Sequence, residues 1–143
     1  MNIIKSVALV AHDNRKQALV DWVVENRSEL EERDLVTTGT TGKRIESALG
    51  RSVTRLSSGP LGGDQQMGAR ISEQKIDLLI FFWDPLEPMS HDPDIKALLR
   101  IATLWNIPTA CNKSTADFLI RSPLMQGYNK DLPDFSYYLN RKV

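Results

Sequence analysis

Cysteine occurs once in this 143-residue sequence, so an internal disulfide is excluded and a reducing compartment suits the chain. Cys111 stands in an apolar, strand-like run and is expected as a small packed residue rather than a nucleophile. Excess charge is lacking too: 18 Lys plus Arg balance 18 Asp plus Glu, and the formal net charge is zero. A general nucleic-acid or membrane-surface binder would carry a basic excess, so no nucleic acid and no membrane is expected as partner. The balance still allows a local positive cluster around one small phosphorylated ligand. No run approaches the roughly 20 apolar residues that a membrane helix needs. The first eleven residues are apolar but include Lys5, lack a small-residue cleavage site and run into His12-Asp13. No secretory leader is therefore expected, and the cytoplasm is the expected location.

Several signatures are missing as well. The chain has no GxxxxGK[ST] nucleotide loop, no GxGxxG fingerprint, no HExxH or paired-cysteine spacing, and no GxSxG elbow. These absences disfavour a nucleotide cofactor, a catalytic metal and a serine-hydrolase mechanism.

What is present is an alternation of two patterns. Hydrophobic residues at 41% and charged residues at 25% fit an ordinary globular protein, and the length fits one domain over residues 1–143. Short apolar runs occur at residues 7–11, 35–38, 53–56, 78–83 and 108–111. The fourth, Leu-Leu-Ile-Phe-Phe-Trp, is apolar at six consecutive positions, which predicts a central strand covered on both faces. Helical faces lie between them: Leu19, Trp22 and Val23; Ile45, Ala48 and Leu49; Ile95, Leu98, Leu99 and Ala102. Residues 64–74 and 115–120 supply two further helices, and Asp92-Pro93 reads as a helix start with Asp92 as cap. Five βα units in succession predict an α/β fold, a three-layer doubly wound parallel sheet. Residues 122–143 are expected to form a partly helical C-terminal extension, packed on the domain or on a neighbouring subunit.

Open α/β sheets bind ligands outside the carboxyl ends of their strands. Every strand exit here carries polar, ionisable or glycine-rich residues, and both histidines lie on this edge. Gly39-Thr40-Thr41-Gly42 reads equally as a phosphate-binding helix start or as an ordinary turn with a threonine cap. In Ser58-Gly59-Pro60-Leu61-Gly62-Gly63-Asp64, the glycines permit close backbone approach to a ligand. Asp64 is then either a helix cap or a general base in the crevice. His91 is either an ordinary loop histidine or a proton carrier beside a carbonyl oxygen. Asp94 either orients it or charges the first turn of its own helix. His12 and Lys16 are four apart, and Lys16 is either a charge for phosphate or a solvated lysine.

Four stretches, in this order, resemble the methylglyoxal synthase family: Val10-Ala11-His12-Asp13, Thr38-Gly39-Thr40-Thr41-Gly42, Ser58 to Gln66, and Asp84-Pro85 with His91-Asp92-Pro93-Asp94. The likeness runs from the first strand to about residue 117, some four-fifths of the chain, and the GPLGGDQQ stretch is its most specific part. The resemblance implies a sheet ordered 3-2-1-4-5 and a homohexamer. It implies a carbon–oxygen lyase that converts dihydroxyacetone phosphate to methylglyoxal and inorganic phosphate through an enediolate, with no cofactor. Carried over by motif, Asp64, His91 and Asp94 are the expected catalytic residues. His12, Asp13, Lys16, Thr38, Gly39, Thr40, Thr41, Ser58, Gly59 and His91 are the expected substrate-binding positions. Inorganic phosphate is also an allosteric inhibitor in the family, and family members bring a C-terminal arginine across a subunit boundary. Here Arg141 and Lys142 both stand in that region, and the register between them is open. Two rival readings remain: an effector-sensing module like that of carbamoyl phosphate synthetase, and an isomerase that reprotonates the intermediate. A free-standing chain that retains Asp64, His91 and Asp94 argues against the sensor.

Overall fold

The computed structural model describes residues 3–88 and 92–142. Five parallel strands form one sheet: β1 (Ser6–Ala11), β2 (Asp34–Thr38), β3 (Thr54–Leu56), β4 (Leu78–Phe82) and β5 (Thr109–Ala110). Their order is β3-β2-β1-β4-β5, as the resemblance implied. The longest strands lie at the centre, where both faces are covered, and the edge strands shrink to three and two residues.

Helices occupy both faces. On one side α1 (Lys16–Glu25), the short α2 (Arg27–Leu30), α3 (Gly39–Leu49) and α6 (Lys113–Ile120) cover Val7, Leu9, Leu35, Ile80 and Phe82. On the other, α4 (Gly63–Ser72) and α5 (Asp92–Leu104) cover Ala8, Val10, Val36, Leu79 and Phe81. Successive strand residues thus enter different cores, which is why β4 is apolar throughout and β1 is apolar from Val7 onward. Trp22 is fully buried in the first core, and its indole N–H donates to Asp117 at 2.9 Å.

Local details depart from the sequence reading in small ways. Trp83, the sixth residue of the apolar run, leaves the strand and is 40% exposed. The helix at Asp92 begins with that residue, one position before the expected start at Pro93. α4 spans Gly63–Ser72 rather than 64–74, and α2 was not anticipated. α6 begins at Lys113, two residues early, because the Asn112 side chain caps it by accepting from the Thr115 N–H at 2.9 Å. Cys111 is half-buried just past β5, and burial pushes its thiol above its ordinary pKa, away from the reactive thiolate.

The extension packs on the domain through its first part. Met125 accepts from the Ile4 N–H at 3.1 Å and from the Arg33 guanidinium at 3.0 Å, and Phe135 meets Trp105 edge-on at 5.0 Å. The last helix, α7 (Ser136–Leu139), has no buried residue.

Candidate active site

Two backbone turns meet above the β2–β3 side of the sheet. Thr38 ends β2 and precedes α3, and Gly39 begins that helix at φ +51°. A Cβ on Gly39 would lie 2.8 Å from the Ser58 Cβ, so this turn touches the Ser58-Gly59 turn without room for a side chain. Gly63 presses as closely on the next stretch: its Cβ would fall 1.9 Å from the Ser57 carbonyl oxygen. The contacts hold the start of α3 and the start of α4 against one cavity of about 110 Å³. That volume is below the roughly 300–1,000 Å³ of drug-sized ligand pockets and suits a small phosphoester better than a nucleotide.

One wall of the cavity is built to receive an anion. Gly39, Thr40 and Thr41 line it, and the opening turn of α3 carries unpaired backbone N–H groups and the positive end of the helix dipole. Lys16 Nζ donates to Thr40 Oγ1 at 2.8 Å and pairs with Asp13 at 2.8 Å, so it ties α1 to that helix start. Thr38, Ser58 and Gly59 complete this side. Asp64 lines the same cavity and is 4% exposed. It is not the helix cap, since Gly62 occupies that position and Asp64 lies inside the first turn of α4.

His12 is held from two sides. Its ring stands edge-on to Phe81 with centroids 5.1 Å apart, and the Asp84 N–H donates to its Nδ1 at 2.9 Å. A nitrogen that accepts a hydrogen bond carries no proton, so the imidazole is the neutral tautomer with its proton on Nε2. His12 therefore lines the cavity as a neutral imidazole.

Ten of the expected positions, His12, Asp13, Lys16, Thr38, Gly39, Thr40, Thr41, Ser58, Gly59 and Asp64, line this one cavity. Asp94 does not; it is half-buried in the first turn of α5. His91 lies outside the described residues.

A family model described as the MGS-like domain matches residues 18–111. Methylglyoxal synthase from Hahella chejuensis is 61% identical, over 98% of this chain and 92% of its own length. That from Saccharophagus degradans is 59% identical over 97% and 91%. This chain belongs to the methylglyoxal synthase family. The crystal structure of methylglyoxal synthase from Elizabethkingia anophelis superimposes with a TM-score of 0.91 at 50% identity, covering 97% of this chain and 92% of that one. The chain is thus an enzyme of this family, with a small-molecule substrate.

Two residues at or beside the cavity were given no role from the sequence, although Asp84 stood in the quoted Asp84-Pro85 stretch. Asp84 ends the run after β4, is 6% exposed, and accepts from the Leu86 N–H at 3.0 Å and from Asn14 at 3.3 Å. The Leu86 N–H holds its carboxyl below the usual carboxylate range, with Asn14 and Arg15 acting in the same direction. That turn sets the Asp84 N–H on His12. An Asp-Pro pair directly after a buried strand is the signal that marks such a turn. Glu87, from the same loop, also lines the cavity, and nothing in its local sequence announced it.

Proposed function

We propose that this chain eliminates inorganic phosphate from dihydroxyacetone phosphate to give methylglyoxal, a carbon–oxygen lyase reaction. The observation that carries the reading is the placement of the buried Asp64 carboxyl in the wall of the same small cavity as the threonine turn. The α3 start, Thr40, Thr41, Ser58 and Lys16 hold the phosphate. Asp64 takes a proton from the hydroxymethyl carbon, and the carbonyl oxygen receives the electron pair as an enediolate. A carboxylate is a weak base toward carbon, so fixed positioning in a water-poor site assists it. Neutral His12 donates from Nε2 to an oxygen of the bound substrate, and His91, with Asp94 as its acidic support, moves a proton between the enediolate oxygens.

Elimination then follows from electron flow. The hydroxyl on the former hydroxymethyl carbon gives up its proton and becomes the aldehyde oxygen. The carbon–carbon double bond shifts toward the phosphorylated carbon, and the carbon–oxygen bond to phosphate breaks. The resulting enol takes a proton on its terminal carbon and becomes methylglyoxal. The breaking bond must stand near perpendicular to the enediolate plane to overlap its π system; held in plane, phosphate stays and the site becomes an isomerase. No step uses a cofactor. We place the enzyme in the cytoplasm as a homohexamer, with phosphate as product and as allosteric inhibitor.

Incubation with dihydroxyacetone phosphate tests the reading, with methylglyoxal, phosphate and glyceraldehyde 3-phosphate all measured. Equal amounts of methylglyoxal and phosphate are expected. Glyceraldehyde 3-phosphate alone would mark an isomerase, and no product would mark an effector-sensing module.

A further inference from the structure

Glu87 presents a buried carboxyl oxygen, Oε2, that has no hydrogen-bond partner among the described residues. Such an oxygen is costly to leave unmet, and it lies on a side chain that lines the active cavity. From this we infer that Glu87 is a specificity residue that accepts a hydrogen bond from the free terminal hydroxyl of the substrate. The inference rests on the phosphoester reading of the cavity and deepens it.

Topology assigns the end of the ligand that Glu87 meets. The threonine turn follows β2 and the Ser58-Gly59 turn follows β3, so the phosphate-binding groups lie to one side of β1. Glu87 follows β4, which pairs with β1 on its other side. A three-carbon phosphoester anchored over β2 and β3 extends its far end across β1 toward this loop. Charge gives the same answer independently. A carboxylate beside the phosphate would repel it, whereas beside a hydroxyl it finds a donor. Phe81 and Ile95 line the cavity as well, and neither has a polar group to offer that hydroxyl. A ligand lacking the hydroxyl would bury Oε2 with its bonding capacity unmet, and a site of this kind rejects such analogues strongly.

The experiment uses two ligands that cannot react, because neither carries a proton acidified by a ketone. Glycerol 3-phosphate retains the terminal hydroxyl; propane-1,2-diol 1-phosphate replaces it with hydrogen. Calorimetric dissociation constants for both, and for inorganic phosphate, are measured on the wild type, Glu87→Ala and Glu87→Gln. The wild type is expected to favour glycerol 3-phosphate by about tenfold or more, the scale expected for an unmet buried group. Glu87→Ala should bring the two ligands within about twofold, a range too small for a buried hydrogen bond. Glu87→Gln, which keeps a carbonyl acceptor, should retain part of the preference. Inorganic phosphate should bind each variant at least as tightly as the wild type, since a negative charge has gone. An undiminished preference in both variants, or none in the wild type, overturns the proposal. Wild-type turnover of dihydroxyacetone phosphate is assayed in parallel, so its absence would count against the proposed reaction and not against the ligand preference.

Discussion

Proton transfer from carbon depends on where one carboxyl sits and on which protons its neighbours carry. Asp64 enters the cavity from the first turn of α4, where the positive end of the helix dipole favours a negative charge. His12 faces the same space with Nε2 protonated, because the Asp84 N–H occupies Nδ1. The proposed base and donor are thus favoured in complementary states, the carboxylate by the helix start and the neutral imidazole by the Asp84 N–H. Replacing Asp64 by Asn preserves shape and removes the proposed base. The variant is expected to keep its melting temperature within a few degrees and to bind inorganic phosphate. Its kcat should fall by about 100-fold or more, the usual contribution of general acid–base catalysis. Turnover within a few-fold of wild type would remove Asp64 from the mechanism.

Helix starts and turns carry the next level of organisation. The wall proposed to hold phosphate exists because α3 begins against the Ser58-Gly59 turn, and Gly39 is the point of contact. Gly39→Ala would place a methyl group against Ser58 in a backbone conformation with φ +51°. We expect a loss of about 1–3 kcal/mol in urea unfolding, together with weaker phosphate binding as the two turns separate. At the opposite end of the sheet, Asp77 joins three elements: it accepts from the Lys5 and Ser6 N–H groups at 2.9 Å each and pairs with Lys130 of the extension. Burial alone would raise its pKa, but Lys130 and the two N–H groups outweigh burial and hold it below 3.8. A depressed carboxyl contributes stability above its unfolded pKa and loses it as pH falls through the folded value. Asp77→Asn should therefore cost about 1 kcal/mol at pH 7. Thermal unfolding across pH should show that difference closing below pH 3.8.

For the whole molecule, the distribution of apolar side chains is informative. Leu61 at 80%, Leu86 at 87% and Phe118 at 81% stand exposed on a single chain, and α7 carries Tyr137 and Leu139 outward. Large exposed apolar groups of this kind suit contacts between subunits. Light scattering is expected to give a mass near six times the 16.1 kDa of one chain. A monomer mass at micromolar concentration would exclude the hexamer. Arg141 packs its guanidinium 3.6 Å from the Tyr138 ring centroid on this exposed segment, so any reach toward a neighbouring site begins from α7.

Periodicity determined the fold class, while the strand order came from the resemblance. Apolar runs that fill both faces of a strand, separated by helical stripes, have few ways to bury themselves, and the parallel doubly wound sheet is the one they form. The strand exits were legible for the same reason, since polar residues directly after buried strands must gather on one edge. Tertiary structure decided what no spacing could. It brought the β4 loop across to His12, so that a backbone N–H of Asp84 selects the tautomer of a residue 72 positions earlier. It also turned Glu87, an unremarkable loop residue, into part of the cavity wall. Hydrophobic patterning is local and repeats along the chain, whereas hydrogen bonds across the sheet depend on which loops the folded strands make neighbours.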